Sequence, residues 1–261
     1  MHPYYSGHGI TLYCGDALEL LPQLPARQFD AIVADPPYSS GGAFRGDRMS
    51  STTAKYVRSD SKRSKSVVGF TGDNRDQRSF LAWSTLWLNA ARRTAKDGAA
   101  LCLFTDWRQL PTTTDAVQCG GYVWRGIAVW RKVGPRPTMG RFAAGAEYIV
   151  WGSKGLMPTK RGVGVLPGVF EHASVRGAVA RSHTTPKPVP LLRDLVAICP
   201  AGGDVLDPFA GTGSTLIAAM ATGRTAVGIE IDEAHCASIV KNIGAYMSGQ
   251  APPTHRVFSV R

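Results

Sequence analysis

The chain has 261 residues, of which 44% are hydrophobic, and a formal net charge of +11. That length suits one large α/β domain or two small ones, with enough apolar residues for a real core. No run approaches the roughly 18 consecutive apolar residues of a membrane span, and the opening MHPYYSGHGI lacks the basic and apolar regions of a secretory signal. We therefore expect a soluble, cytoplasmic protein without a membrane partner.

The positive charge is concentrated in two segments. Residues 40–78 contain nine Lys and Arg against four Asp and Glu, and residues 131–187 contain ten against two. By contrast, residues 1–39 and 194–261 are net acidic. A local basic excess of this kind indicates an anionic partner, most often nucleic acid.

The first part of the chain predicts two strands and a long loop. GITLYCGDALELLPQL has the pattern of a short strand, a Gly-Asp turn and a short helix. FDAIVADPPY predicts a buried strand that ends at a stiff corner of two prolines. Residues 39–76 are rich in Gly, Ser, Lys and Arg and have no clear period, so we predict a long loop there. Loops of this length in compact domains are usually functional or disordered.

The middle of the chain predicts a helix followed by three strands. Apolar residues recur at helical spacing over 77–97, with Gly98 as the stop. AALCLFTDW predicts the next buried strand, and GYVWRGIAVWRK and AEYIVWGSK predict two late strands that pair. Five tryptophans are expected in the core, namely Trp83, Trp87, Trp124, Trp130 and Trp151. Trp107 follows a strand end and is a candidate ligand contact.

The last part of the chain alternates strands and helices. Residues 152–182 are basic, Gly-rich and predicted to be irregular, and KPVPLLRDLVAICP predicts a helix. DVLDPFAGTGSTLIAAMATGRTAVGIEID predicts a strand, a glycine turn, a helix and a strand, and EAHCASIVKNIGAYM a final helix. Alternation of this kind favours a mostly parallel sheet with helices on both faces. We predict one domain over 1–261, with basic insertions at about 39–76 and about 131–182.

The glycine turn DPFAGTGST, at 207–215, has three interpretations. It is a plain strand-to-helix turn, a phosphate-binding loop or a nucleoside-cofactor site. The phosphate loop is excluded, because Ser214 and Thr215 follow Gly213 directly without the required lysine. Glu230 ends the next strand, about where a carboxylate binds ribose hydroxyls in Rossmann-like sites. A further pyrophosphate glycine is missing, which favours a cofactor without phosphate, such as S-adenosylmethionine.

The corner DPPY, at 35–38, lies at the carboxyl end of its strand, as the glycine turn does. Ligands of open α/β sheets bind at that edge. An exocyclic amine on a nucleobase is a poor nucleophile because its lone pair is delocalised into the ring. Asp35 and the Pro36 carbonyl can each accept a hydrogen bond from the amine, and the prolines hold these acceptors in place. Tyr38 can stack on a base that has left the double helix.

Together these motifs resemble the amino-methylating DNA methyltransferases that use S-adenosylmethionine. The resemblance rests on Asp35-Pro36-Pro37-Tyr38 and on DPFAGTG at 207–213, in the permuted order of the family's β group. HTTPKP at 183–188 and GDALELL at 15–21 match two further motifs of that group. The resemblance spans residues 15–230 and implies a Rossmann-like methyltransferase fold.

The resemblance also implies roles for the cofactor-site residues. Gly211, Gly213 and Phe209 would frame the methionine and ribose, within a turn completed by Asp207, Thr212 and Ser214. Glu230 would hold the ribose hydroxyls and Asp16 the adenine amine, while Lys187 would help close the pocket. Asp16 has the alternative role of capping the next helix, and Lys187 that of a solvated surface lysine.

The basic clusters are the predicted DNA contacts, since Lys and Arg supply affinity through phosphates. The candidates after the acceptor corner and between the late strands are Arg45, Arg48, Lys62, Arg63, Lys65, Arg131, Arg136 and Arg141. The five cysteines are scattered and lack Cys-x-x-Cys spacing, so we expect neither a disulfide framework nor a metal site. No Pro-Cys pair occurs, which disfavours methylation of a base carbon.

The resulting hypothesis is an enzyme that flips a base out of duplex DNA and methylates adenine at N6. In the family, the aspartate form of the acceptor corner is associated mainly with adenine and a serine form with N4 of cytosine. Cytosine N4, structured RNA and a catalytically silent DNA-binding role remain the alternatives. The sequence leaves open the recognition site, a homodimer and a restriction endonuclease counterpart.

Overall fold

The computed structural model describes residues 1–38, 74–135, 139–140, 142–175 and 186–249. In chain order, its strands are β1 (Tyr5–Gly7), β2 (Ile10–Cys14), β3 (Phe29–Ala34), β4 (Ala95–Thr105), β5 (Val123–Val133), β6 (Ala146–Ser153), β7 (Val169–Ala173), β8 (Asp204–Asp207) and β9 (Thr225–Glu230). Its helices are α1 (Ala17–Leu20), α2 (Gln77–Thr94), α3 (Leu110–Cys119), α4 (Val189–Val196), α5 (Ser214–Ala221) and α6 (Glu233–Met247), with a 3-10 turn at Leu21–Gln23. None of these helices is long and apolar enough to cross a membrane.

The nine strands form one sheet in the order β1-β2-β9-β8-β3-β4-β6-β5-β7. The five strands from β2 to β4 in that order run parallel, and β5 and β7 are also parallel to each other. Only β1 and β6 run antiparallel to their neighbours. The carboxyl ends of β2, β9, β8, β3 and β4 therefore meet at one edge, where the antiparallel β6 begins. We call this the carboxyl edge.

Helices cover both faces of the sheet, and each face has its own hydrophobic core. On β3, Val33 packs into one core and Ile32 into the other, because alternate strand residues point to opposite faces. The first core includes Leu192 of α4 and Leu216 of α5, and the second includes Trp87 of α2. This arrangement confirms the predicted α/β class with a mostly parallel, doubly covered sheet.

The predicted helix over 77–97 is three residues too long. The helix ends at Thr94, and Ala95 already pairs with Phe29 of β3. Lys96 then forms an ion pair with Asp30 at 2.7 Å, which ties this stretch to the sheet. Strand pairing and this contact override the helical pattern. Gly98, at φ +79°, lies inside β4 and does not end the helix.

The predicted irregular segment over 152–182 contains a strand, β7. Phe170 of β7 is buried, and the Trp130 indole donates a hydrogen bond to the His172 carbonyl at 2.9 Å. The expectation that Trp124 is a core residue is wrong, because its side chain is 43% exposed. Trp124 lies at an irregularity of β5, where the pairing register shifts before Gly126.

Other tryptophans follow the expectation to different degrees. Trp87 and Trp130 are buried, whereas Trp83 and Trp151 are half-buried against the two cores. Within the described residues, three elements had no counterpart among those predicted from the sequence, namely the edge strand β1, the helix α3 and the strand β7. The two strands are short and α3 is polar, so none of the three has a strong hydrophobic period.

The glycine that opens α5 provides a test of the fold. Gly213 has φ +78°, and a Cβ there would lie 2.9 Å from Cγ2 of Ile239 in α6. Gly223, just beyond α5, has φ +69° with no atom of the described residues within 4 Å of a Cβ. We expect Gly213→Ala to lower the free energy of unfolding by roughly 2–4 kcal/mol, from strain and overlap together. The matched control Gly223→Ala should lower it by only about 1 kcal/mol, from strain alone. Equal losses in urea unfolding would contradict the packing of α6 on the glycine turn.

Candidate active site

The site lies at the carboxyl edge, where the chain changes direction across the sheet. From β3 the chain continues to β4 on one side, while β8 lies on the other side and leads to β9. Such a switch point opens a crevice between neighbouring strand ends. Asp35 follows β3 and Asp207 ends β8, so both predicted motifs line this crevice. The sequence separates them by more than 170 positions, and the sheet brings them together.

The glycine turn is held tightly by its surroundings. Gly211 and Gly213 both adopt left-handed conformations, at φ +53° and +78°. Asn242 of α6 donates a hydrogen bond to the Thr212 carbonyl at 3.1 Å, and the buried hydroxyls of Thr212 and Ser214 lie 3.0 Å apart. The turn is therefore a preformed backbone surface in front of the first turn of α5.

Glu230 at the end of β9 anchors this turn. Its Oε2 accepts a hydrogen bond from the Gly211 amide at 2.8 Å, and its Oε1 accepts one from the Asp232 amide at 3.0 Å. The Nδ1 atom of His235 lies 3.6 Å from the same Oε1. Burial lowers the pKa of His235, but the hydrogen bond and charge of Glu230 outweigh it and raise that pKa overall. The predicted ribose carboxylate thus lies directly against the glycine turn.

Asp16 lies on the next strand end along the sheet. It follows β2, the neighbour of β9, and the Gly15 amide donates to the Glu230 carbonyl at 2.9 Å. Asp16 Oδ1 caps α1 by accepting from the Leu18 amide at 2.8 Å. The capping alternative raised from the sequence is therefore present in the structure. Because a carboxylate has about four acceptor positions, capping leaves room for a ligand.

Phe209 forms the aromatic side of the site. Its ring meets the Trp87 ring edge-on at 4.9 Å and the Trp83 ring at 5.4 Å. The Arg75 guanidinium lies over the Trp83 ring, 4.2 Å from the ring centre. The sequence placed these tryptophans in the core, but it gave no sign that they support the glycine turn.

Asp207 is a buried carboxyl in the floor of the crevice. Burial raises the pKa of Asp207 to about 7, and the charges of Asp35 and Glu230 act in the same direction. Hydrogen bonds from the Thr215 hydroxyl and the Phe209 amide oppose this rise. Asp207 is therefore close to half-protonated at neutral pH.

The acceptor corner has both carboxylate oxygens of Asp35 engaged. The Tyr38 hydroxyl donates to Oδ1 at 2.6 Å, and the Lys187 ammonium donates to Oδ2 at 2.6 Å. Burial raises the pKa of Tyr38 well above its ordinary value, and the nearby Asp35 charge adds to the effect. The phenol therefore stays protonated and remains a donor. Pro36 is buried and Pro37 is half-buried, so the corner is fixed by packing.

Lys187 lies at the acceptor corner rather than on the glycine turn. Its side chain is only 6% exposed. Its ammonium contacts Asp35 Oδ2 and also lies 3.4 Å from Glu147 Oε2. Burial lowers the pKa of Lys187, but the two carboxylates outweigh it and raise that pKa overall. Lys187 is thus a charged, buried lysine, and the alternative of a solvated surface lysine is wrong.

Two residues of this cluster were missed by the sequence analysis. Glu147 is the second residue of β6, and its Oε1 lies 2.6 Å from the Lys132 ammonium of β5. Burial raises the pKa of Glu147, but Lys187 and Lys132 outweigh it and lower that pKa overall. One signal was available, because Glu147 and Glu171 are the only acidic residues in the basic segment 131–187.

Among the predicted DNA contacts, the structure describes only Arg131. It lies exposed on β5, and its Nε donates to Glu171 Oε1 at 2.7 Å. Trp107, the candidate ligand contact, is 64% exposed just after β4, with the Arg108 guanidinium 4.7 Å from its ring centre. The other predicted contacts lie outside the described residues, namely Arg45, Arg48, Lys62, Arg63, Lys65, Arg136 and Arg141.

Comparison with known proteins supports the family that the motifs indicated. The family model described as DNA methylase, N6/N4 type, matches residues 29–161 and 165–241. The type II methyltransferase M.ScaI of Streptomyces caespitosus is 24% identical over 270 residues, which cover 88% of this chain and 80% of M.ScaI.

Two solved structures have the same fold. The complex of M1.HpyAVI with S-adenosylmethionine superposes with a TM-score of 0.63 at 20% identity, covering 89% of this chain and 98% of that one. The PvuII DNA methyltransferase, which is cytosine-N4-specific, superposes with a TM-score of 0.66 at 15% identity, covering 95% and 96%. The fold is therefore that of the S-adenosylmethionine-dependent DNA methyltransferases.

The chain belongs to the N6/N4 DNA methylase family, because the family model covers most of its length. It is a DNA methyltransferase, its substrate is DNA and its cofactor is S-adenosylmethionine, as the acceptor corner and the glycine turn indicated. Both target amines occur in this family, so membership does not choose between adenine N6 and cytosine N4.

The raised pKa of Asp207 makes stability depend on pH. Its carboxyl keeps a proton up to about pH 7 in the folded chain, but only to about pH 4 when unfolded. The folded state thus binds the extra proton between these values, so this contribution to stability is full below pH 4 and lost as pH rises to 7. Asp207→Asn keeps an acceptor for the Phe209 amide without a charge, and it should raise stability at pH 8 by up to about 4 kcal/mol.

The measurement is denaturant unfolding of Asp207→Asn between pH 4 and 8. The control is Asp115→Asn, an exposed residue of α3, which should leave the pH dependence unchanged. If Asp207→Asn destabilised the protein more at pH 8 than at pH 5, the assigned ionisation of Asp207 would be wrong.

Proposed function

We propose that this DNA methyltransferase acts on the N6 amine of adenine in duplex DNA, after the base has been flipped out of the helix. The observation that carries the proposal is the position of the Asp35 carboxylate and the way its two oxygens are held. Its carboxylate stands at the crevice between β3 and β8, ion-paired with Lys187 and hydrogen-bonded by Tyr38. An acceptor fixed in this way suits an amine that must be oriented before it attacks.

The acceptor corner activates the amine by binding its two N–H bonds. Asp35 Oδ1 accepts one hydrogen bond once the Tyr38 hydroxyl yields its place, and the Pro36 carbonyl accepts the other. These bonds draw the nitrogen lone pair away from the ring and aim it into the crevice. S-adenosylmethionine, when bound, supplies the electrophilic methyl group. The nitrogen would gain that methyl group, while the electron pair of the broken carbon–sulfur bond stays on the cofactor sulfur. One of the two protons of the nitrogen would leave along its hydrogen bond to Asp35 Oδ1 and pass from there to water.

Tyr38 has a second task in this proposal. Its ring is half-buried at the corner, 5.3 Å from the Lys187 ammonium. A flipped base loses stacking worth a few kcal/mol, and an aromatic ring in the pocket offsets part of that loss. The hydroxyl that holds Asp35 in the free protein thus belongs to the residue that receives the base.

The glycine-turn side of the crevice fits the cofactor. The Glu230 carboxylate accepts from the Gly211 and Asp232 amides and lies 3.6 Å from His235 Nδ1, which leaves one of its about four acceptor positions for a ribose hydroxyl. Asp16, at the end of the neighbouring strand, would accept a hydrogen bond from the amine of the cofactor's own adenine. Phe209 supplies an aromatic surface, and the Asp207 carboxyl lies in the floor of the pocket. The turn residues with small or hydroxyl side chains would complete it, namely Gly211, Thr212, Gly213 and Ser214. Lys187 would contribute from the acceptor side.

Affinity for DNA is assigned to the basic segments. Arg131 is exposed on β5, at the carboxyl-edge half of that strand, and its partner Glu171 would have to yield to a phosphate. The remaining candidates are those named from the sequence. Phosphate contacts release counterions, so DNA binding should weaken steeply with salt.

Cytosine N4 is the second candidate, because the PvuII enzyme shares the fold over 95% of this chain. Both reactions need an acceptor at the same corner. The aspartate favours adenine, because a carboxylate accepts more strongly than the hydroxyl of the serine form associated with cytosine. Asp35 therefore supports adenine as the target base and N6-methyladenine as the product.

The test of catalysis is Asp35→Ala. It should retain binding of cofactor and DNA but lower the rate of methyl transfer at least about 100-fold, because the lost interaction matters most as the nitrogen attacks. Asp115→Ala on α3 is the exposed control. Methylated DNA is digested to nucleosides and analysed by mass spectrometry, and N6-methyladenine is expected. N4-methylcytosine alone would overturn the choice of base, whereas full activity of Asp35→Ala would overturn the role of the corner.

The test of the cofactor site uses Glu230→Ala and Gly211→Arg. The first removes the ribose acceptor, and the second fills the turn. Each should weaken S-adenosylmethionine at least about 30-fold in calorimetry, since truncating a buried, hydrogen-bonded charge costs about 2 kcal/mol or more. Glu233→Ala, exposed in the first turn of α6, is the control. Unchanged affinity in both site variants would move the cofactor elsewhere.

A further inference from the structure

Four charged side chains alternate in sign from the outer sheet to the acceptor corner. Lys132 of β5 contacts Glu147 of β6, Glu147 contacts Lys187 before α4, and Lys187 contacts Asp35 after β3. The distances are 2.6, 3.4 and 2.6 Å between the charged atoms. Lys187 is buried, and the Lys132 and Glu147 side chains are only about one-fifth exposed.

Neutralising Lys187 does not by itself explain this arrangement. Asp35 alone would balance one buried ammonium, yet Glu147 adds a second carboxylate, and Lys132 in turn balances Glu147. An ammonium has three donors in rotatable positions, so one carboxylate fixes its distance but not its direction. Glu147 supplies a second fixed point, and the Tyr38 and Phe104 rings lie 5.3 and 5.1 Å away.

We propose that Glu147 is a positioning residue for methyl transfer, which holds Lys187 on Oδ2 of Asp35 so that Oδ1 faces the incoming amine. This inference rests on the proposed amine methylation and adds a residue to it. Glu147 contacts neither DNA base nor cofactor in this scheme and acts only through Lys187. Lys132 keeps Glu147 ionised and in place.

The four alternating charges control the rotation of the Asp35 carboxylate. With Lys187 on Oδ2, only Oδ1 is open to exchange, and its present occupant is the neutral hydroxyl of Tyr38. A hydroxyl is displaced by an amine more easily than an ammonium is. Without Glu147, the ammonium is free to move between the two oxygens and to compete with the substrate.

The charge of Glu147 also predicts a pH effect. Among the described residues, the titratable groups that face Lys187 are Asp35 and Tyr38 after β3 and Glu147 on β6. Lys132 lies beyond Glu147, Asp207 beyond Asp35 and Asp106 beyond Tyr38. Glu147 helps to raise the pKa of Lys187, so its loss lowers that pKa. Lys187 would then lose its proton at a lower pH, and the alkaline limb of the kcat profile would move down in pH.

The experiment compares Glu147→Gln with Glu233→Gln, the same change at an exposed position on α6. For Glu147→Gln we expect kcat to fall about 10-fold to 100-fold, as for misplacement of a reacting group by about an ångström, and the alkaline limb to shift down. The dissociation constant of S-adenosylmethionine should change much less than kcat does, because Lys187 is the one proposed cofactor residue that Glu147 contacts. Wild-type kcat and an unshifted profile in Glu147→Gln would overturn the inference.

A second variant separates positioning from folding. Lys132→Gln combined with Glu147→Gln removes one charge of each sign, so the buried cluster stays neutral overall. Its stability should return toward the wild-type value while kcat stays low, because Lys187 still lacks its second contact. Recovery of wild-type kcat in the double variant would mean that charge imbalance alone was responsible and would overturn the inference.

A structural readout distinguishes failure of this inference from failure of the proposed function. A wild-type protein that methylated no DNA amine would contradict the proposed function. In that case, the crystal structure of Glu147→Gln decides the positioning role. Lys187 displaced from Oδ2 of Asp35 supports it, and Lys187 unmoved within hydrogen-bond distance overturns it.

Discussion

The ion pair between Asp35 and Lys187 is the interaction on which the organisation of the site depends. It joins side chains 152 positions apart at 2.6 Å. The contact requires β3 to end at the crevice and α4 to begin against the first core, two residues after Lys187. A carboxylate at the surface would be screened and mobile, whereas this one is held in a partly buried setting where charge-assisted hydrogen bonds are short and strong. The pair therefore couples the fold to the geometry of the acceptor.

The crevice has two halves that are built in different ways. On the glycine-turn half, backbone amides and carbonyls carry the structure, with Glu230 and Asn242 tying the turn to α6. On the acceptor half, side-chain charges carry it, through Asp35, Lys187 and Glu147. This division matches the two ligands, since a cofactor must be held through its whole length and a flipped base must be oriented at a single amine. Burying such charges is unfavourable unless each is paired, so this half is expected to be the more sensitive to substitution.

Local patterns were sufficient to predict the parts of the fold that one segment determines. The run FDAIVA and the glycine turn were assigned correctly because a buried strand and a left-handed glycine each have a strong local signal. The last helix, Glu233–Met247, begins and ends where the sequence predicted. By contrast, the end of α2 was predicted too late in the sequence. Ala95 pairs in the sheet with Phe29, which lies 66 positions earlier, and so cannot continue the helix.

The residues of the candidate site also fall into two groups, those that a local motif reveals and those that only the folded sheet brings together. The motif residues Asp35, Asp207, Gly211 and Glu230 were found from sequence because each belongs to a short local pattern at a strand end, and the sheet places these strand ends at one edge. Glu147 and Lys132 were missed because they belong to ordinary strand sequences, and only the antiparallel entry of β6 at the carboxyl edge brings them to Lys187. The exposure of Trp124 was missed for a related reason, since a shift of strand register cannot be read from apolar composition.

The most direct test of the account is the position of the target amine in a complex. The protein would be crystallised with duplex DNA containing its target adenine and with a cofactor analogue that cannot transfer a methyl group. The account predicts an extruded adenine whose N6 lies about 3 Å from Asp35 Oδ1 and from the Pro36 carbonyl, with Lys187 still on Oδ2. An extruded base whose amine is bound by other groups, with Asp35 still closed by Tyr38, would contradict it.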